Sequence, residues 1–295
     1  MRIGFVGLGL MGGPMVRNIA KAGIASAIVV QNRTRAKAES LAAEVGVGAT
    51  VADTPRAVAE VSDIVITMVP DVPDVEQVYL GPDGILEAAR PGLICTDMST
   101  VGAACVQRVA AKLAEAGVQF VDAPVSGGTM GAQAGTLSIM AGGPAATLEI
   151  LRPVFEAMGS KTVHCGETVG SGQITKLINQ IVGAINLEAV CEGLVFAQAS
   201  GVDVNAVLEA VGAGAAGSWS WSNLGPRIVK GDNAPGFKVD HQIKDLRLAS
   251  EAAESMGLTL PALKLALADF EQTRDAAPGN GDLGTQVMMQ AVRTK

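Results

Sequence analysis

The chain has 295 residues, of which 48% are hydrophobic, 17% charged and 3% aromatic, and its formal net charge is −7. That length allows two domains with a large core, and the Ala, Gly and Val content suits a parallel sheet buried on both faces. An acidic balance, no basic run and few aromatics exclude a nucleic-acid partner, and no uninterrupted apolar stretch reads as a membrane span.

Met1–Gly7 (MRIGFVG) predicts a buried strand, with β-branched Ile3 and Val6. Gly7, Gly9 and Gly12 then form G-x-G-x-x-G, an apolar-patterned helix runs to about Lys21, and a second apolar run, Ala27–Val30, follows. In this strand–turn–helix context the glycines read as a dinucleotide site. Gly7 allows the tight turn, Gly9 lets the backbone approach a pyrophosphate, and Gly12 lets the helix pack close to the strand. The helix N-terminus presents unpaired N–H groups to the anion. Gly7, Leu8, Gly9, Met11 and Gly12 are the expected contacts. The alternative is three glycines in an ordinary βα turn.

An NAD site usually places Asp or Glu about twenty residues beyond the glycines, on the ribose 2′-OH. Here that position is Asn32, followed by Arg33 and Thr34. No carboxylate repels a 2′-phosphate, and a guanidinium and a hydroxyl are present to bind one. The expected cofactor is therefore NADP(H). The alternative makes Arg33 a solvated loop residue and Asn32 the cap of the next helix.

Further strands end in polar residues. Ile64–Met68 ends at Val69-Pro70-Asp71, Leu93–Thr96 at Asp97-Met98-Ser99-Thr100, and Leu137–Ala141 at Gly142-Gly143; Phe120–Val121 lead into Asp122-Ala123-Pro124-Val125-Ser126-Gly127-Gly128. Helical segments such as Ala103–Ala116 lie between them. The alternation predicts a Rossmann-type doubly wound, largely parallel sheet that binds ligands at the carboxyl ends of its strands. Val69, Pro70 and Thr100 lie at that edge, where the cofactor is expected. Thr100 also suits an N-cap of the following helix.

After about Cys165 the periodicity changes. Residues 1–165 are expected to form the NADP-binding domain and 166–295 an all-α domain, joined by a long interdomain helix over Gly170–Ser200. That helix is apolar at Ile174, Leu177, Ile178, Ile181, Val182, Ile185, Leu194 and Val195. These cover more than one face, which predicts burial between domains or subunits and a homodimer or homotetramer. Further helices are expected over Asn205–Val211, Trp221–Lys230, Ile243–Met256 and Pro261–Arg274. Cys95, Cys105, Cys165 and Cys191 show no C-x-x-C spacing and read as reduced thiols of a cytoplasmic protein. The N-terminus enters a strand directly, so no signal peptide is expected. His164 and His241 sit in no metal-ligand constellation, and no metal is expected.

Two segments carry chemistry on their own terms. Ser126-Gly127-Gly128 follows a strand end, and a hydroxyl with two N–H groups on a glycine turn can bind a carboxylate; a plain Gly-rich turn is the alternative. Lys176 lies near the start of the long helix among apolar residues, where an unpaired buried ammonium is costly. Either it serves chemistry or it snorkels to solvent.

Gly7–Met15 (GLGLMGGPM), Asp122–Gly128 (DAPVSGG), Gly170–Lys176 (GSGQITK) and Phe237–Leu246 (FKVDHQIKDL) together resemble the β-hydroxyacid dehydrogenases, over nearly the whole length and in the right order. The resemblance implies that Ser126, Gly127 and Gly128 bind substrate and that Thr100 stands beside nicotinamide and substrate. It makes Lys176 the acid in reduction and the base in oxidation, since hydride transfer to a carbonyl leaves an alkoxide that needs a proton. Asn179 or Gln180, three and four residues on, is implied to touch substrate, with Phe237 as an aromatic wall. Lys244 is implied at the cofactor and Asp245 at the substrate; the alternative for that pair is an exposed helix pair. The related imine reductases lack the lysine. The expected activity is NADPH-dependent reduction of a small carboxylate-bearing semialdehyde of the 2-hydroxy-3-oxopropionate, glyoxylate or succinic semialdehyde type. The alternatives are a 3-hydroxyisobutyrate or other 3-hydroxyacid dehydrogenase in the oxidative direction, and a non-catalytic cofactor-binding module.

Overall fold

The computed structural model describes residues 1–46 and 48–293. The chain divides into two compact units, Met1–Lys176 and Leu177–Lys295.

The first unit is built in the order β1 (Arg2–Val6), α1 (Gly12–Ala22), β2 (Ala27–Gln31), α2 (Arg35–Val45), β3 (Ala49–Val51), α3 (Pro55–Val61), β4 (Ile64–Thr67) and α4 (Val72–Leu80). It continues through β5 (Ile94–Asp97), α5 (Ala103–Glu115), β6 (Gln119–Asp122), β7 (Val125–Ser126), α6 (Gly128–Ala134), β8 (Leu137–Gly142), α7 (Ala145–Met158) and β9 (Gly159–Gly166). The sheet runs β3-β2-β1-β4-β5-β6-β8-β7, with β9 paired to β8. Strands β1 to β6 pair in parallel. The chain leaves β1 toward β2 on one side and returns to β4 on the other. That reversal opens a crevice at the carboxyl ends of β1 and β4, where the glycine turn lies.

Apolar runs form the central strands because helices cover both faces. On one face Met15, Val16 and Ile19 of α1 join Leu148, Leu151 and Phe155 of α7 against Ile3, Phe5 and Ile66. On the other, Val75 and Tyr79 of α4 and Val106, Val109 and Leu113 of α5 pack on Val6, Val65 and Cys95. The far side of the sheet departs from the parallel pattern. Strands β6 and β7 both pair antiparallel with β8, through Asp122 with Gly142 and Ser126 with Ser138. Three short or half-exposed strands, β3, β7 and β9, have no counterpart among the apolar runs. Edge strand β9 carries exposed residues such as Lys161 and His164 and buries none of its residues, so it shows no buried pattern.

Helix α8 (Ser171–Ala199) spans roughly 43 Å at 1.5 Å per residue. The first unit ends within it, at Lys176. Its apolar residues divide: Leu177, Leu187, Val190 and Leu194 are buried, whereas Ile174, Ile178 and Val182, spaced four apart, are exposed. The expected burial on several faces therefore holds for only part of the helix within one chain. By length and composition α8 is apolar enough to cross a membrane. A core helix passes the same test, and α8 buries Lys176, Gln180 and Glu188.

The second unit continues with α9 (Val204–Ala213), α10 (Trp219–Asn223), α11 (Gly225–Lys230), α12 (Val239–Ser255), α13 (Pro261–Asp275) and α14 (Met289–Arg293). The single helix expected over Trp221–Lys230 is two. Ser218 caps α10 by accepting from the Trp221 N–H, and α11 restarts at Gly225-Pro226, where proline suits a helix start and cannot continue one. Trp221 is buried and donates its indole N–H to the Leu208 carbonyl at 3.0 Å. Apolar α9 buries none of its residues.

Candidate active site

Packing dictates two of the three glycines in the first turn. Gly7 has φ +98, and a Cβ there would stand 2.2 Å from the Met68 carbonyl oxygen; a Cβ on Gly12 would stand 1.9 Å from that of Gly7. Gly9 has nothing within 4 Å, so its outer face is open. No side chain caps α1, and its first turn carries no acid. Open backbone at Gly9 beside an uncapped helix start fits a dinucleotide pyrophosphate. Met11 stands at the N-cap. The Leu8 N–H is already engaged, donating to Asn32 Oδ1 at 2.9 Å.

Asn32 thus clips the end of β2 to the glycine turn, and its Nδ2 donates to the Thr34 carbonyl at 3.0 Å. Thr34, not Asn32, stands at the N-cap of α2. The Arg33 side chain is 87% exposed, and its Nη1 lies 3.5 Å from Asp74 Oδ1. Arg35 beside it pairs with Glu39 and Asp53.

A buried polar network holds the ends of β4 and β5. Asp97 is fully buried and accepts from Thr67 Oγ1, from the Ser99 N–H at 3.1 Å and from Ser99 Oγ at 3.0 Å. Thr67 also shares a hydrogen bond with the Tyr79 hydroxyl at 3.1 Å. Ser99 Oγ in turn accepts the Val69 N–H at 2.9 Å, which ties the Val69-Pro70 turn to the segment bearing Thr100. Gly102, not Thr100, stands at the N-cap of α5.

Asp122 at the end of β6 accepts the N–H of Gly170 at 2.6 Å and of Gln173 at 2.7 Å. Burial pushes its carboxyl up to about 6, against the lowering effect of these hydrogen bonds. Four residues later Ser126 ends β7, and Gly127 (φ +131) and Gly128 (φ +60) turn the chain into α6. Gln173 is fully buried and reaches the Thr100 segment: its Oε1 accepts the N–H groups of Val101 and Gly102 at 3.0 Å, and its Nε2 donates to the Ser99 carbonyl at 2.8 Å. The segments bearing Thr100 and Ser126 are thus both tied to the first turn of the helix that carries Lys176. Lys176 is 6% exposed, which removes a snorkelling role.

Within the second unit Gln180 Nε2 donates to Asp245 Oδ2 at 2.6 Å, and Asn179 Nδ2 donates to Gln180 Oε1 at 2.8 Å. Lys244 Nζ lies 3.0 Å from Asp245 Oδ1, with side-chain exposures of 15% and 2%. This pair is therefore not a solvated surface pair. Phe237 packs against His241 with ring centroids 5.8 Å apart, and burial, with Lys244 nearby, lowers the His241 pKa. Asp97, Asp122 and Ser99 could have been suspected from their place at strand ends. Gln173 carried no local signal, because a lone glutamine in the first turn of a helix reads as surface.

The family described as the NAD binding domain of 6-phosphogluconate dehydrogenase matches residues 2–166. The family described as the NAD-binding domain of NADP-dependent 3-hydroxyisobutyrate dehydrogenase matches residues 170–292. An uncharacterised oxidoreductase of Bacillus subtilis (strain 168) is 43% identical over 284 residues, 96% of each chain. The 2-hydroxy-3-oxopropionate reductase of Escherichia coli (strain K12) is 39% identical over 292 residues, 99% of this chain and 97% of the relative. The solved structure of Mycobacterium tuberculosis 3-hydroxyisobutyrate dehydrogenase with L-serine superposes with a TM-score of 0.89 at 32% identity, covering 99% of each chain. This chain belongs to the β-hydroxyacid dehydrogenase family. Its class is that of NAD(P)-dependent hydroxyacid dehydrogenases acting on small substrates.

Proposed function

We propose that the protein is an NADPH-dependent reductase of small carboxylate-bearing semialdehydes, of the 2-hydroxy-3-oxopropionate, glyoxylate or succinic semialdehyde type. The observation that carries this reading is the buried Lys176 in a helix whose first turn is fixed to both ligand-side segments. Burying an ammonium is costly, and a proton-donor role accounts for that cost where a non-catalytic cofactor-binding module does not.

The nicotinamide cofactor, when bound at the glycine turn, supplies the hydride. Ser126 and the Gly127-Gly128 turn hold the substrate carboxylate through a hydroxyl and backbone donors. Lys176 holds its ammonium at the carbonyl oxygen, stabilises the developing charge and gives up its proton to the alkoxide. Asn179, Gln180, Phe237 and Asp245 are assigned to substrate, with Asn179 and Gln180 bonded to each other. The cofactor is assigned to Gly7, Leu8, Gly9, Met11, Gly12, Asn32, Arg33, Thr34, Val69, Pro70, Thr100 and Lys244. Arg33 supports NADPH because it is exposed and only loosely paired, so a 2′-phosphate displaces little. The exposed stripe Ile174, Ile178 and Val182, with unburied α9, supports a homodimer or homotetramer.

A second reading, oxidation of 3-hydroxyisobutyrate or another 3-hydroxyacid, is favoured by the match of residues 170–292 to the 3-hydroxyisobutyrate dehydrogenase type. One panel separates the two. Initial rates with the three semialdehydes, and with 3-hydroxyisobutyrate in the reverse direction, are measured with both phosphorylated and unphosphorylated cofactors. The expected result is the highest kcat/KM for a semialdehyde with NADPH. A higher value for 3-hydroxyisobutyrate oxidation at neutral pH, or equal use of NADH, overturns the first reading.

A further inference from the structure

Among the described residues, the Gln173 side chain makes its hydrogen bonds to the backbone of one remote loop. Its carbonyl oxygen accepts two N–H groups, from Val101 and Gly102, and its amide nitrogen donates to the Ser99 carbonyl. This pattern fixes the orientation of the carboxamide, since reversing it would set donor against donor and acceptor against acceptor. These bonds bracket Thr100 on both sides. From the other direction, the Gln173 N–H is held by Asp122 at 2.7 Å.

The first turn of α8 has no room to slide. A Cβ on Gly172 would stand 2.2 Å from the Met140 carbonyl oxygen, and one on Gly170 would stand 2.9 Å from Ala103 Cβ. Gln107 Nε2 donates to the Val169 carbonyl at 3.0 Å just ahead of that turn. Lys176 follows Gln173 by one helical turn, so whatever sets Gln173 sets the lysine's backbone too.

We propose that Gln173 is a positioning residue, which holds Thr100 in register with Lys176, and that Asp122 is the clamp on its helix turn. The proposal rests on the reading of Lys176 as proton donor. Gln173 touches neither substrate nor cofactor in this role. It fixes the separation of two groups that do, and a misplacement of about 1 Å at such groups can cost about a hundredfold in rate.

The test is a double-variant cycle on the full-length enzyme. Gln173→Met keeps the side-chain length and removes all three hydrogen bonds. It is expected to lower kcat by roughly tenfold to a hundredfold, with NADPH affinity, read by cofactor fluorescence, within about twofold of wild type. In a Lys176→Ala background the same change is expected to cost less than about threefold, because there is no lysine left to position. An equal loss in both backgrounds, an unchanged kcat, or a loss confined to NADPH affinity overturns the proposal. Failure of the donor reading shows separately, as a Lys176→Ala enzyme that keeps its kcat.

Gln173→Glu serves if the methionine variant does not fold. Its carboxyl, once protonated, again offers one acceptor and one donor, so kcat relative to wild type is expected to recover several-fold from pH 8 to pH 5.5. Asp97, Asp122 and Lys176 are the charged groups around this site, and wild type carried through the same pH series is the reference against which position 173 is read. A flat ratio over that range overturns the proposal.

Discussion

The Asp122 carboxylate accepts the main-chain N–H of Gln173 at 2.7 Å, across a buried contact between a strand end and a helix start. With the Gly170 N–H at 2.6 Å, it satisfies two donors at the helix start that no carbonyl within the helix pairs. A carboxylate at a helix N-terminus also meets the positive end of the helix dipole. The same residue opens the segment that ends in Ser126-Gly127-Gly128, so one side chain couples that glycine turn to the lysine helix.

Asp122 should give stability an unusual pH dependence. Its folded pKa of about 6 lies above the ordinary value of 3.8, so the folded state binds the proton more tightly than the unfolded chain. This contribution is fully present below about pH 3.8 and is lost as pH rises through about 6, amounting to roughly 3 kcal/mol. Thermal melts of wild type and Asp122→Asn from pH 4 to pH 7.5 check this. Wild type should lose stability relative to the variant as pH rises through that window, then run parallel to it.

Cofactor choice should follow Arg33. Arg33→Ala is expected to weaken NADPH by roughly tenfold to a hundredfold, since a charged hydrogen bond is worth ~1.5–3 kcal/mol. NADH should change little. Fluorescence titration with both cofactors measures it, and a parallel loss for the two would remove Arg33 from the 2′-phosphate.

The two residues proposed to meet substrate should fail in different ways. Lys176→Ala should lose roughly 10²–10⁴-fold in kcat while keeping NADPH affinity. Ser126→Ala should act mainly on KM, because a carboxylate contact is made in ground and transition states alike. Steady-state kinetics on both variants, with NADPH binding measured alongside, tell the two effects apart.

Thiol chemistry should be confined to one cysteine. Burial pushes the Cys105 thiol up to about 12 and Cys95 further still, and Cys191 is also buried. Cys165 is partly exposed. Titration with a chromogenic disulfide at pH 8 should release one equivalent rapidly, and the remaining three only after denaturation. Three fast equivalents would contradict the burial of these residues.

Assembly should depend on the apolar stripe of α8. Ile178→Glu combined with Val182→Glu places two charges on that face and should shift sedimentation at micromolar concentration toward monomer. A wild-type monomer, or an unshifted double variant, would leave the stripe without a role in assembly.

Local rules made the βα turn legible. Gly7 and Gly12 sit where a side chain would strike backbone, and Gly9 sits where a ligand needs open backbone, so three spaced glycines after an apolar run announce the turn. Central strands were legible for a related reason: burial on both faces leaves unbroken apolar runs. Strand β9 was not, because an edge strand half in solvent keeps residues such as Lys161 and His164. The break between α10 and α11 was signalled by Gly225-Pro226, but apolar periodicity continues across it.

The candidate site divides along the same line. Sequence by itself determined which residues have the chemistry: an ammonium at Lys176, a hydroxyl on a glycine turn at Ser126, and no carboxylate at Asn32. Tertiary structure alone decided what each side chain is attached to. Asn32 holds the Leu8 N–H, Asp122 holds the start of α8, and Gln173 holds the loop around Thr100. These partners lie 24 to 74 residues apart. A hydrogen bond over such a separation leaves no periodicity or spacing in the chain, because it exists only after sheet and helix have brought the two ends together.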